Sequence, residues 1–137
     1  MLEQYNQATT LYDKLLALSA LGNAGIDTAT PHIDQIISDK SQHSLIRVKA
    51  VDALRRLFTK QPRTIQQILL PIFLNNREDV SVRIAGLTTI LRTQPEPSVI
   101  DQIFYAMRQE PNRRVKAYTY QTLKLVAESK NPADQQM

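Results

Sequence analysis

Two histidines, thirteen carboxylates and no cysteine set the limits on the chemistry this chain can carry. His32 and His43 stand apart without an H-x-x-x-H spacing or a carboxylate partner, so neither pattern assembles a metal site, and turn or cap-flanking roles suit them better. The absence of cysteine removes disulfides, thiolate catalysis and sulfur-ligated zinc. Gly22, Gly25 and Gly86 are the only glycines, too few and too scattered for a phosphate-cradling loop or a nucleophile elbow. Glu78 and Asp79 are adjacent carboxylates, and with no neighbouring base they read as servants of the helix N-terminus that follows rather than as an acid–base pair. No enzymatic set is expected, and no cofactor or metal.

Cations offer more pattern. Arg55, Arg56, Lys60 and Arg63 form one cluster and Arg113, Arg114 and Lys116 another, read as a solvated, partly paired surface ahead of an anion site. The net charge of +4 falls short of a dedicated nucleic-acid footprint, and Phe104, Tyr105, Tyr118 and Tyr120 are not interleaved with basic residues as a base-stacking track requires. No nucleic-acid partner is expected. A second set of cations recurs in register: Lys14, Arg47, Arg83 and Arg114, at steps of 33, 36 and 31 residues. One cation per repeat at a constant place is what stacking demands, so these four are expected to reach the helix ends or carboxylates of adjacent units.

The elements that must position these residues are helices. Apolar side chains recur at i, i+3, i+4 and i+7 in Leu11, Leu15, Leu18, in Val51, Leu54, Leu57, Phe58, in Ile65, Ile68, Leu69, Ile72, in Ile84, Leu87, Leu91 and in Ile100, Ile103, Phe104, Met107. Sustained period-two alternation is absent, and the fold class is all-α. Gly22-Asn23-Ala24-Gly25, Thr30-Pro31 (N-cap, then proline), Gln61-Pro62, Gln94-Pro95-Glu96-Pro97, Glu110-Pro111-Asn112 and Asn131-Pro132 supply the breaks. The longest apolar run is far short of the roughly 20 residues that span a bilayer, and Met1-Leu2-Glu3-Gln4-Tyr5-Asn6 is too polar for a signal peptide.

Internal similarity arranges the helices in pairs. Lys14 to Leu21 aligns with Arg47 to Leu54, and the same opening recurs at Arg83-Ile84-Ala85-Gly86-Leu87 and Arg114-Val115-Lys116-Ala117-Tyr118. Small residues three places after each cation, Ala17, Ala50, Gly86 and Ala117, let helices approach closely. Helix B spans Pro31 to Ile37, Arg63 to Leu74 and Pro97 to Met107 in successive units. The repeats are expected at 8–43, 44–78, 79–109 and 110–130, with a tail at 131–137, as one α-helical solenoid. An open solenoid end leaves an apolar face without a partner, which predicts self-association through the ends or marginal stability.

Several motifs resemble those of one family. Leu16 to Gly25 is followed by Ala53-Leu54-Arg55-Arg56, then Pro62-Arg63, then Ile68-Leu69-Leu70-Pro71-Ile72-Phe73-Leu74-Asn75-Asn76. Val82-Arg83-Ile84-Ala85 precedes Leu91-Arg92-Thr93-Gln94-Pro95, and Glu110-Pro111, Val115, Tyr120, Leu123-Lys124 and Leu125-Val126-Ala127-Glu128-Ser129 close the set. In this order the set resembles the helical domain of the large lipid transfer proteins, the group of vitellogenins, apolipophorins, apolipoprotein B and the microsomal triglyceride transfer protein. The likeness departs from the family pattern in its lack of cysteines and at Thr88-Thr89.

The resemblance implies a right-handed α-α superhelix of HEAT-like pairs, cut from a secreted or secretory-lumen lipoprotein for lipid transport or yolk storage. It implies a scaffold for a lipid cavity formed elsewhere in the parent, with lipid and the parent's other domains as partners. The helix B face of Ile65, Ile68, Leu69, Ile72, Ile100, Ile103 and Phe104 is expected to pack internally or against the cavity wall. A free-standing HEAT-like adaptor for protein partners is the rival reading, and a HEAT-like nucleic-acid binder ranks last.

Overall fold

The computed structural model describes residues 2–24, 29–54 and 60–129. These form eight helices: α1 (Leu2–Gln7), α2 (Leu11–Ala24), α3 (Thr30–Ser38), α4 (Ser44–Ala53), α5 (Pro62–Leu74), α6 (Val80–Arg92), α7 (Pro97–Met107) and α8 (Arg113–Ser129). No strand occurs among the described residues, so the all-α class holds. The helices fall into two compact units, α1–α6 within residues 1–96 and α7–α8 within 97–137.

In the first unit α4 is the hub. It packs against α2, α3 and α6, while α5 lies on α6 and α1 on α2. Periodicity dictates which faces meet. α5 buries Ile65, Leu69 and Phe73, four residues apart on one stripe, and α6 buries Val82, Gly86, Leu87 and Ile90. Each such aliphatic or aromatic side chain contributes about 1.5–3 kcal/mol when fully withdrawn from water. In the second unit α7 packs on α8, with the rings of Phe104 and Tyr120 6.1 Å apart.

Proline behaves in two ways. Pro31 and Pro62 sit in the first turns of α3 and α5, where a missing N–H costs nothing. Pro71 lies inside α5, and the helix continues through it because Pro71 and Gln67, whose carbonyl loses its i+4 donor, are both on the exposed side. After α6 the chain turns at Gln94, which takes the left-handed region at φ 54°, before Pro95.

Two expectations about breaks are corrected and one helix is added. Gly22-Asn23-Ala24 is not a turn: α2 runs through it, with Gly22 buried beside Ala17, Leu18 and Leu21, because the extra turn completes that buried stripe. Thr30 lies inside α3 rather than capping it; Ala29 precedes the helix, and the Thr30 hydroxyl donates to Gln61 Oε1 at 3.3 Å. Helix α1 was not anticipated, since Leu2 to Gln7 is short and polar. Gly25, Arg55, Arg56, Leu57, Phe58, Asn131-Pro132 and the tail at 131–137 lie outside the described residues.

Candidate functional site

Polar residues before four helices set a common register. Thr10 Oγ1 accepts from the Asp13 N–H, His43 Nδ1 from Leu45, Asp79 Oδ1 from Ser81 and Val82, and Asn112 Oδ1 from Arg114 and Val115. Each satisfies one or two N–H groups that a helix start leaves without partners. Counted from these caps, the seventh residues are Ala17, Ala50, Gly86 and Thr119 and the eleventh are Leu21, Leu54, Ile90 and Leu123, and all eight are buried. The fourth residues are Lys14, Arg47, Arg83 and Lys116.

This register revises the sequence alignment at its last step. Arg114 is exposed, and the residue equivalent to Arg47 and Arg83 is Lys116, two places on. Ala117, aligned with the small residues, is exposed too, and Thr119 takes the buried position with its hydroxyl donating back to the Val115 carbonyl at 2.7 Å. The caps themselves were the missed signal: aligning Asn112 with Asp79 instead of matching Arg114 to Arg83 places Lys116 correctly.

The two arginines are buried. Arg47 Nε donates to the Ile37 carbonyl at 2.8 Å, in the last turn of α3. Arg83 Nε does the same to the Phe73 carbonyl at 2.9 Å, in the last turn of α5. Each fills an acceptor that a helix C-terminus leaves open, and does so ten residues back along the chain. Arg83 is only 1% exposed and its guanidinium lies 5.5 Å from the centroid of the Phe73 ring. Lys14 sits differently, its ammonium 5.8 Å from the centroid of the Tyr5 ring.

Arg47 also reaches forward. Its Nη1 pairs with Glu78 Oε1 at 2.8 Å, with both side chains about 5–6% exposed. Glu78 in turn accepts from the Asp79 N–H at 2.9 Å. The Arg47 hydrogen bond, helped by that N–H and by the charges of Arg47 and Lys40, holds the Glu78 carboxyl below the usual carboxylate range against the opposing effect of burial. Asp39 is held low as well, first by hydrogen bonds from the Ser41 hydroxyl and N–H. Tyr5, its hydroxyl buried, is pushed up by desolvation and then by the charge of Asp39. Thus Asp79 serves the helix N-terminus as expected of the carboxylate pair, and Glu78 divides between that N-terminus and Arg47.

The remaining candidate residues divide by depth. Ile65, Leu69 and Ile103 are buried, Ile68, Ile72 and Ile100 half-buried, and Phe104 is 43% exposed. Of the basic clusters, Arg63 pairs with Glu96 at 3.3 Å on the surface; Lys49, outside them, pairs with Asp52 at 3.5 Å. His32 is exposed, and no group of three His, Asp or Glu gathers among the described residues to hold a metal ion. A cleft of about 470 Å³ opens on α4, with Leu15, Val48, Val51, Ala85 and Arg92 in its lining. Among the described residues no helix is long and apolar enough to cross a membrane. The two buried arginines are spent on joining one helix to another.

The comparisons agree with that architecture. The family model described as the vitellogenin TPR domain matches residues 1–124. Vitellogenin-6 of Oscheius tipulae is 39% identical over the whole chain, and Vitellogenin-1 of Caenorhabditis elegans 40% identical over 99% of it. Vitellogenin of Ichthyomyzon unicuspis is 28% identical over 96%. The chain spans about 8% of the length of each of these relatives. A solved structure described as showing lipid–protein interactions in lipovitellin aligns with 82% of this chain and 12% of its own, at a TM-score of 0.79 and 29% identity. On the match over residues 1–124, the chain belongs to the vitellogenin TPR domain family.

Proposed function

We propose that this chain is a structural part of the helical domain of a secreted lipid-transport or yolk-storage lipoprotein, and that it braces a lipid cavity formed elsewhere in the parent without catalysing a reaction. The observation that carries this reading is the lipovitellin match, which joins a TM-score of 0.79 to 29% identity over 82% of the chain. The parent carries the lipid, and its other domains are this segment's partners. Nothing in the comparisons favours a free-standing adaptor.

The cations at the fourth cap position are the stacking residues in this reading, with Arg47 and Arg83 tying each helix to the last turn of the one before it. The repeats at 8–43, 44–78, 79–109 and 110–130 are the units they stack, and the ends of the stack are where copies of the isolated chain associate. On α5, Ile65 and Leu69 serve the core of their unit and leave Ile68 and Ile72 for a cavity wall; on α7, Ile103 serves its own unit's core and leaves Ile100 and Phe104. Nucleic acid is not a partner.

Two measurements test the proposal. The isolated chain binds lipid weakly in a titration with phospholipid vesicles, and tight saturable binding of one lipid per monomer would move the cavity into this segment. The parent particle purified with Leu69→Asp in this segment holds less lipid per protein than wild type, because a charge in the buried stripe of α5 undoes the brace. An unchanged lipid-to-protein ratio with the segment demonstrably unfolded would reject the scaffold.

A further inference from the structure

We propose that the Arg47–Glu78 pair is an acid-released clasp, which fastens the start of α6 to α3 and α4 at neutral pH and lets it go when Glu78 takes a proton. The geometry supplies the fastening. Arg47 stands on α4, gives its Nε–H to the last turn of α3 and its Nη1 to a carboxylate in the α5–α6 connection, 31 residues further on. The same carboxylate accepts the N–H of Asp79, the residue that caps α6, so Glu78 links the guanidinium directly to the helix start. Both partners are more than nine-tenths buried.

Chemistry makes the fastening one-sided. The guanidinium never deprotonates in a protein. Glu78 is therefore the member that switches. Its neutral form leaves a buried cation bonded to the Ile37 carbonyl but without its counter-ion, and a buried charge deprived of its counter-ion is far more costly than a surface one. The charged groups facing Glu78 are Arg47 from α4, Lys40 from the α3–α4 connection and Asp79 on its own segment; Asp39, beside Lys40, faces Arg47. Arg47 and Lys40 favour the ionised carboxylate.

The direction follows from the lowered carboxyl. A carboxylate more acidic in the folded than the unfolded chain adds stability that is complete above the unfolded value of about 4.3 and disappears as pH falls through the folded one. The clasp is closed through neutral and mildly acidic conditions and opens in stronger acid.

Hydrogen exchange of the full chain from pH 7 to 3, corrected for the intrinsic rate, tests the clasp at the amides of Val80 to Arg83, with Val115 to Thr119 of α8 as the reference. Wild type loses protection at the start of α6 as pH falls below about 4.3, by up to about twentyfold at pH 3, the most that one carboxyl allows, while α8 keeps its own. Glu78→Gln lacks that protection already at pH 7 and shows no acid step. Retention of wild-type protection at pH 3, the same acid step in Glu78→Gln, or simultaneous loss in α8 would each overturn the clasp. Should Glu78→Gln fail to fold, Arg47→Met with Glu78→Met decides: protection at both pH values without a step supports the clasp, and a surviving step refutes it.

Discussion

Helices α4 and α8 begin alike and end up differently. Each follows a side-chain cap, His43 or Asn112, each carries a cation at the fourth position, and each buries its third, seventh and eleventh residues. Yet Arg47 is 4% exposed and bonded fore and aft, whereas Lys116 is only half-buried. The cap register decides where a cation stands; what surrounds it decides whether the cation holds anything together. A guanidinium can offer Nε to one helix and Nη1 to another at once, and an ammonium is a single point charge on a flexible stem.

The most damaging way to sharpen that comparison is Arg47→Met. It leaves Glu78 charged and buried without its partner, and urea unfolding should show a loss of about 3–5 kcal/mol. Adding Glu78→Met should return most of it, because two apolar side chains of similar volume tolerate burial that one orphaned carboxylate does not. Equal losses for the single and double substitutions would show that Arg47 matters for its packing and not for its charge.

A smaller effect separates the caps from the cations. Asp79→Ala removes the acceptor for the Ser81 and Val82 N–H groups and should cost about 0.5–2 kcal/mol in the same assay. Asn112→Ala should cost a similar amount, since it accepts the equivalent pair in α8. A cap that matters at α6 and not at α8 would mean that the shared register is coincidental.

Smaller still, and of opposite sign, is Gly86→Ala. The sequence reading asks a small residue at this position to permit close approach, and in the structure a Cβ there would lie 3.9 Å from the Leu69 Cβ and carbonyl oxygen, an ordinary contact. Alanine thus fits, as Ala50 does at the equivalent place in α4. Removing a glycine from a helix interior then stabilises by about 0.5–1 kcal/mol, visible as a raised melting temperature. A lowered one would show that α5 and α6 have no slack between Gly86 and Leu69.

Gly86 also shows what can be read from a sequence and what cannot. The helical stripes, the proline breaks and the span of helix α7, Pro97 to Met107, were legible because period and backbone chemistry are local properties. The bonds of Arg47 and Arg83 to the helix ends before them were legible because a cation repeated in register points to a repeated partner. Half of the part Glu78 plays is not legible because Arg47 lies 31 residues away, and an ion pair at that distance in sequence leaves no local trace; its bond to the Asp79 N–H at the helix start is the local half. Gly22 misled because glycine marks both turns and close helix approaches, and only tertiary packing chooses between them.

The last comparison is within α8 itself. Arg114 occupies the second position after its cap and is exposed, Lys116 occupies the fourth and is half-buried, and the sequence alignment had matched Arg114 to Arg83. If the cap register is the true one, Arg114→Ala stays within about 0.5 kcal/mol of wild type, as surface substitutions do. Lys116→Arg has more to gain: the carbonyl ten residues back is that of Ala106, in the last turn of α7, the same place that Ile37 holds in α3 and Phe73 in α5. The Ala106 carbonyl already accepts the Gln109 N–H at 3.2 Å, so a guanidinium at 116 would share it, and a charged hydrogen bond of that kind, worth about 1.5–3 kcal/mol when fully buried, is worth less at this half-buried site. A gain of several tenths of a kcal/mol for Lys116→Arg, with none lost for Arg114→Ala, would fix the register; the reverse order would restore Arg114 as the stacking residue and return the fourth repeat to its sequence alignment.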